Sequence, residues 1–154
     1  MARTVLVSSC LLGLATRYDG DDNYSRSLAD YLQRNDLIPI PVCPEQLAGM
    51  PTPRPKCWYT TGTGAAILAG EGQICNELGV DVSQRLLRGA ELTLDIARLT
   101  NCELAILKQR SPSCGSSMVH QNGKLVEGMG VAAALLAQHG VALLSEEELE
   151  AKSE

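Results

Sequence analysis

This chain of 154 residues contains no phenylalanine, and aromatic residues make up only 3% of it. The core must therefore be packed from leucine, valine, isoleucine and alanine. Trp58, Tyr59, Tyr18 and Tyr24 are the few side chains on which a base could stack, too few for a surface that tracks single-stranded nucleic acid. Positive charge is also short, since Lys+Arg 13 against Asp+Glu 18 leaves a net charge of -5. That balance argues against a surface that grips a phosphate backbone and favours a small-molecule substrate. No apolar stretch approaches the length of a membrane span, and the residues before Thr4 carry no basic, long-apolar, small-residue signal. The expectation is a cytoplasmic protein with neither a membrane nor a nucleic-acid polymer as partner. No C-x-x-C pair occurs, which weakens a zinc ribbon and a thioredoxin-like dithiol. Repeats and low-complexity segments are missing as well, and the length fits one domain over residues 1–154.

What is present is an alternation of strand-like and helix-like segments. Residues 5–8, Leu37–Val42, Leu104–Leu107 and 141–144 are short apolar runs that read as strands. Pro39 and Pro41 confine the second of these to an edge or an exposed end. Helical spacing marks residues 25–34, residues 81–100 with Asp81 or Ser83 as cap, and Val131–Gln138 ended by Gly140; Ser145 with Glu148 forms a capping box for a last helix. Three prolines within residues 51–55 force a rigid extended loop. Residues 65–68 and 73–75, separated by Gly70-Glu71-Gly72, suggest a small hairpin. The pattern predicts an α/β three-layer sandwich, Rossmann-like or flavodoxin-like, around a mostly parallel four-stranded sheet with right-handed crossovers and a hairpin excursion.

In a reducing compartment six cysteines point to metal or thiol chemistry rather than to a disulfide framework, although a buried cysteine is by default a small hydrophobe. Cys10, Cys43 and Cys114 each follow the carboxyl end of a predicted strand, where open α/β sheets build their sites. If those strands are parallel neighbours the thiolates converge, and three thiolates with no evident fourth partner suit a metal centre that keeps one position open. Cys75 and Cys102 read as packing, whereas Cys57, after the proline loop, could serve as a fourth ligand or a resolving thiol. Glu45, two residues past Cys43, is a proton-transfer group within reach of such a metal. The segment from Lys108 to Ser117 gathers two basic side chains, four hydroxyls and a thiol. Lys108 and Arg110 could favour the Cys114 thiolate, and the hydroxyls with backbone N–H groups could form an anion nest; a solvated polar turn is the plain alternative. Asp19 either meets polar atoms of a substrate or makes an Asp-Gly turn. His139 fits a helix end, and His120 fits the surface.

Ser8-Ser9-Cys10-Leu11-Leu12-Gly13, Arg17-Tyr18-Asp19-Gly20, Cys43-Pro44-Glu45-Gln46, Pro51-Thr52-Pro53-Arg54-Pro55, the segment from Lys108 to Ser117 and Glu127-Gly128-Met129-Gly130-Val131 together resemble the TudS thiouracil desulfidase family, nearly end to end. The resemblance implies a 4Fe-4S cluster held by three cysteines, matching Cys10, Cys43 and Cys114. It implies non-redox conversion of C=S to C=O on thiouracil or a related thiolated nucleobase, with hydrosulfide released. Within that scheme Glu45 activates water, Ser113 or Ser111 hydrogen-bonds the tetrahedral intermediate, and Ser111, Asp19 and Lys108 bind substrate. Lys56-Cys57-Trp58 departs from the family block, which leaves Cys57 without an implied role. Two other readings of the thiols stand beside this one. One is a metal-free thiol or persulfide redox enzyme acting through Cys114, and the other is a zinc-stabilised or metal-sensing module.

Overall fold

Val5, Leu6 and Val7 are all fully buried, and three consecutive buried residues in a strand require cover on both faces of the sheet. The structure, a computed structural model, describes residues 3–152 and supplies that cover. Strand β1 (Arg3–Ser8) lies between β2 (Leu37–Val42) and β5 (Leu104–Leu107), with β8 (Ala142–Ser145) beyond β5. All of these pairings are parallel. Val5, Val7 and Ile106 face α1 (Arg26–Arg34) and α6 (Glu146–Lys152), where Leu28, Leu32 and Leu149 close the layer. Leu6, Ala105 and Leu107 face α4 (Ser83–Leu99) and α5 (Val131–Gln138) through Leu94, Ala97, Ala133 and Leu136. This is the expected sandwich of helices on both sides of a parallel sheet.

Local chemistry matches the sequence reading at several boundaries. Ser25 caps α1, its hydroxyl accepting from Leu28 N–H at 3.2 Å. Ser145 and Glu148 form the reciprocal capping box at α6, at 3.2 and 3.3 Å. Strand β2 is an edge strand, which is why it tolerates two prolines. Pro39 and Pro41 have the same parity, so both missing N–H groups fall on one side of the strand.

The excursion is larger than expected, because it is a second four-stranded sheet rather than a hairpin. Residues 65–68 belong to a short helix, α3 (Gly64–Leu68), as the alanine and leucine content favours. Strand β4 (Gln73–Asn76) pairs antiparallel with β3 (Cys57–Thr61) instead. The loop expected after Cys114 contains β6 (Met118–Gln121) and β7 (Lys124–Glu127), an antiparallel pair whose Gln121 meets Tyr59 of β3. Tyr59, Ile74 and Val119 of this sheet pack on Leu86 and Ala90 of α4 and on Val131 and Ala132 of α5. The amino-terminal half of α4 thus serves the second sheet and its carboxyl-terminal half the first.

Two glycines set how closely these layers approach. A side-chain carbon added at Gly89 of α4 would lie 2.1 Å from the Pro44 carbonyl oxygen in α2 (Pro44–Leu47), the short helix that follows Cys43. One at Gly130 would lie 2.4 Å from the Ser113 carbonyl carbon. Both neighbours are backbone and cannot swing aside. Gly89→Ala and Gly130→Ala should therefore each lower the free energy of unfolding by about 1–3 kcal/mol, the usual cost of overpacking, measured by denaturant titration. Unchanged midpoints would show that α2 or the Cys114 loop yields freely.

Candidate functional site

A cleft of about 660 Å³ opens at the carboxyl edge of the parallel sheet, and Cys10, Cys43 and Cys114 all line it. Cys10 sits in the 3-10 turn Ser9–Leu12 that follows β1, Cys43 directly follows β2, and Cys114 lies in the loop after β5. These strands are adjacent in the order β2-β1-β5. The chain leaves β1 toward one side for β2 and returns past it for β5, and such a reversal opens a crevice beyond the strand ends. The three thiols are electrostatic neighbours: ionised Cys43 would raise the pKa of Cys10, and Cys43 and Cys10 would both raise that of Cys114.

Burial pushes all three thiols above their ordinary pKa, Cys114 furthest. Against that, each sulfur has a donor of its own. Asn23 bonds to Cys10 and the Ser8 hydroxyl to Cys114. Cys43 receives the Gln46 backbone N–H and lies 3.8 Å from an Arg54 guanidinium nitrogen. Donors to sulfur favour the thiolate, which is the metal-ligating form. Beside Cys43, Glu45 lines the same cleft and pairs with Arg54 Nε at 3.1 Å. The donor set is therefore three thiols, separately hydrogen-bonded, with a paired carboxylate next to them.

Residues 5–148 match the family model for 2-thiouracil desulfurase. The chain belongs to the 2-thiouracil desulfurase family. It is 39% identical over 148 residues to the uncharacterized protein YbbK of Bacillus subtilis (strain 168), across 94% of this chain and 97% of that relative. It also superimposes on the solved structure of TudS, a 4Fe-4S-dependent thiouracil desulfidase, with a TM-score of 0.79 and 34% identity, over 97% of this chain and 94% of that one.

Within this member of the desulfurase family, the dense segment after β5 is organised chiefly by Gln109 and Glu146, two side chains without a role in the sequence analysis. The Gln109 amide oxygen accepts from the Ser117 and Met118 N–H groups, each at 3.1 Å, and its nitrogen donates to the Ser116 and Ser117 hydroxyls. Gln109 N–H in turn donates to Glu146 at 2.7 Å, and Lys108 Nζ lies 2.9 Å from the other oxygen of that carboxylate. The Ser111 hydroxyl accepts from Ser113 and Cys114 N–H. The expected anion nest is thus filled from within, by a serine of its own loop. Lys108 and Arg110 are likewise engaged, with Glu146 and Glu147, and the Cys114 pKa is raised rather than lowered. Activation of a free Cys114 thiolate by these two cations is not what the geometry provides.

The individual site residues separate into two groups. Glu45, Lys108 and Ser111 line the cleft. Ser113 does not: it is fully buried behind the loop, and among the described residues its hydroxyl has no hydrogen-bond partner. Asp19 is also off the cleft wall and pairs with Arg17, which is on it, at 3.1 Å. Of the aromatic residues, Tyr18 and Trp58 line the cleft, while Tyr59 is a core residue whose hydroxyl donates to Pro112 O. His120 lies on the cleft rather than on plain surface. Arg54, Asn23 and Ser8 carried no role in the sequence reading; a lone arginine between prolines was the one available signal for Arg54.

Cys57 lines the cleft at the start of β3, and its largest electrostatic neighbours are Glu45, Arg54, Cys75 and Glu77. Cys75 and Cys102 do not line the cleft. Burial, with Glu45 adding to it, pushes the Cys57 thiol up to about 12. A thiol whose folded-state pKa exceeds the unfolded value of about 8.5 contributes stability at lower pH and loses it as pH rises, because the unfolded chain ionises first. In metal-free protein the denaturant midpoint should fall from about pH 9 toward pH 12, and Cys57→Ala should make that fall shallower. Equal slopes for the two proteins would contradict the buried, neutral state of Cys57.

Proposed function

We propose that this chain is a 4Fe-4S-dependent enzyme that takes the sulfur from thiouracil or a related thiolated nucleobase. Water supplies the oxygen: C=S and H2O become C=O, hydrosulfide and a proton, with no net redox change. The observation that carries this reading is the convergence of Cys10, Cys43 and Cys114 on one cleft, each with its own hydrogen-bond donor, in a fold shared with TudS. The donor set suits such a cluster, since thiolates are its usual ligands. Each thiol would bind a different iron, so the three need not meet at one point. A single zinc ion needs them drawn around one centre at about 2.3 Å, and among the described residues no group of three His, Cys, Asp or Glu side chains is placed to hold a metal ion. Cys57, with electrostatic neighbours on the Glu45 and Cys75 side, is left out of the ligand set.

When bound, a cluster with only three protein thiolates offers one iron without a protein ligand as a Lewis acid for the substrate sulfur. The remaining work falls to this chain's own residues. Glu45, beside Cys43 on the cleft wall, takes a proton from the attacking water and returns it to the departing sulfur. Ser111 lines the cleft; its oxygen accepts two backbone N–H groups, which leaves its own proton to hydrogen-bond the oxygen that water adds to the thiocarbonyl carbon in the tetrahedral intermediate, while the negative charge develops on sulfur. This assigns to Ser111 the part that Ser113, buried behind the loop, is poorly placed to play. Lys108, fixed by Glu146, contributes positive charge at the same wall, and Asp19 acts by holding Arg17. Tyr18 and Trp58 offer faces on which a pyrimidine can stack. Free thiols of this kind persist in the reducing cytoplasm, where we place the protein.

Anaerobic reconstitution with iron and sulfide should give brown protein with about four irons and four sulfides per chain, able to release sulfide from 2- or 4-thiouracil. Alanine at Cys10, Cys43 or Cys114 should abolish the colour, whereas alanine at Cys75 or Cys102 should not. Active protein that is colourless and free of iron would overturn the proposal. Glu45→Gln should keep the cluster and lose about 10²- to 10⁴-fold in kcat, the range of a general acid–base group; full activity in that variant would remove Glu45 from the mechanism.

A further inference from the structure

Arg54 is among the most completely engaged side chains of the molecule. Its side chain is 3% exposed. Nε donates to Glu45 Oε1 at 3.1 Å, one terminal nitrogen to Thr52 Oγ1 at 2.9 Å and Pro51 O at 3.4 Å, and the other to Thr16 O at 2.9 Å and the Cys43 sulfur at 3.8 Å. Its own backbone N–H donates to Tyr18 O at 2.7 Å. One planar cation therefore joins the loop after β1, the turn after β2 and the proline loop, and it touches both a thiol and the carboxylate beside it.

We infer that Arg54 is a positioning residue that fixes Glu45 against the Cys43 sulfur, holding the proton-transfer group in register with the metal-ligating thiolate. The inference rests on the functional reading above. Three considerations carry it. A carboxylate that is 13% exposed is stable only when paired, and Arg54 is the cation paired with it. The guanidinium fork has a fixed geometry, so binding Glu45 through Nε while a terminal nitrogen faces Cys43 sets the distance between the two groups. An N–H directed at a cluster-ligating sulfur also stabilises the more reduced, more negative state of a cluster. Lysine keeps the charge but cannot hold these partners at once.

Arg54→Lys and Arg54→Met are to be reconstituted anaerobically beside wild type, with iron content, midpoint potential and steady-state constants measured on 2-thiouracil. The Arg54→Met variant should bind the cluster with a more negative potential, and its kcat should fall by about tenfold or more, within the range for groups that orient metal ligands, while KM changes by less than about threefold. Arg54→Lys should keep a potential near that of wild type yet show the same loss in kcat. In metal-free protein, adding Glu45→Gln to Arg54→Met should recover part of the lost melting temperature, because the unpaired carboxylate is gone while the bonds to Thr52, Pro51 and Thr16 stay lost. Should Arg54→Met fail to fold, the lysine variant decides alone. Wild-type kcat in Arg54→Lys, or a change confined to KM, overturns the inference. If wild type itself neither binds iron nor releases sulfide, it is the functional reading that fails.

Discussion

The site depends on the central place of β1 in the parallel sheet. Parallel strands all direct their carboxyl ends to one edge, so the residues that follow β2, β1 and β5 meet there however far apart they are in sequence. The register makes this meeting definite: Ser8 pairs with Val42, and Val7 with Ile106. A one-residue slip would turn every buried side chain to the opposite face. The prolines of β2 oppose it further, since a slip would direct the ring nitrogens of Pro39 and Pro41 at β1, where the ladder needs N–H donors. The edge strand that looked weakest in composition thus helps to fix its own register.

Cys114 is farther from a strand end than Cys10 or Cys43, so the sheet alone does not place it. Polar side chains complete the task. Gln109 gathers the backbone of residues 117 and 118, Ser111 gathers that of residues 113 and 114, and Glu146 anchors Gln109 from the first turn of α6. Gly130 lets α5 close against the same loop, with Gly130 N–H donating to Gly115 O at 2.8 Å. Buried polar networks are rigid when every member is satisfied, and this one ties the last helix of the fold to the thiol it supports. The exception is the Ser113 hydroxyl.

Much of this was legible in the sequence, and the failures have physical causes. The two central strands of the parallel sheet, β1 and β5, read as short apolar runs because both of their faces are buried. The start of the last helix was legible from the Ser145 and Glu148 capping box, whereas the long helix α4 has Val82 at its N-cap, with no side-chain cap, in place of the expected Asp81 or Ser83. The second sheet was not legible. Strand β7 has one half-buried position and three exposed ones, so it carries no apolar alternation, and β3 begins directly after a proline loop. The hydroxyls of the 108–117 segment were read as part of an anion nest, whereas several of them bind within their own loop. Arg54 could not be found from composition, because its importance comes from three loops that only the folded chain brings together.

The electrostatics of the cleft explain why thiols and carboxylate are arranged as they are. Burial disfavours ionisation of all three cysteines, and repulsion between thiolates adds to it at Cys10 and Cys114. The donors Asn23, Ser8 and Arg54 are too weak to ionise the thiols by themselves, as the raised pKa values show, but they are already oriented for the ionised state. Preorganised donors of that kind cost no rearrangement when charge appears. Glu45 poses the opposite problem, a carboxylate beside sites that become negative, and Arg54 answers it with one buried charge shared between Glu45 and Cys43. The second sheet then closes the other wall with Cys57, Trp58 and His120, so the cleft is partly shielded from water, and each of these charge interactions is stronger than it would be at an open surface.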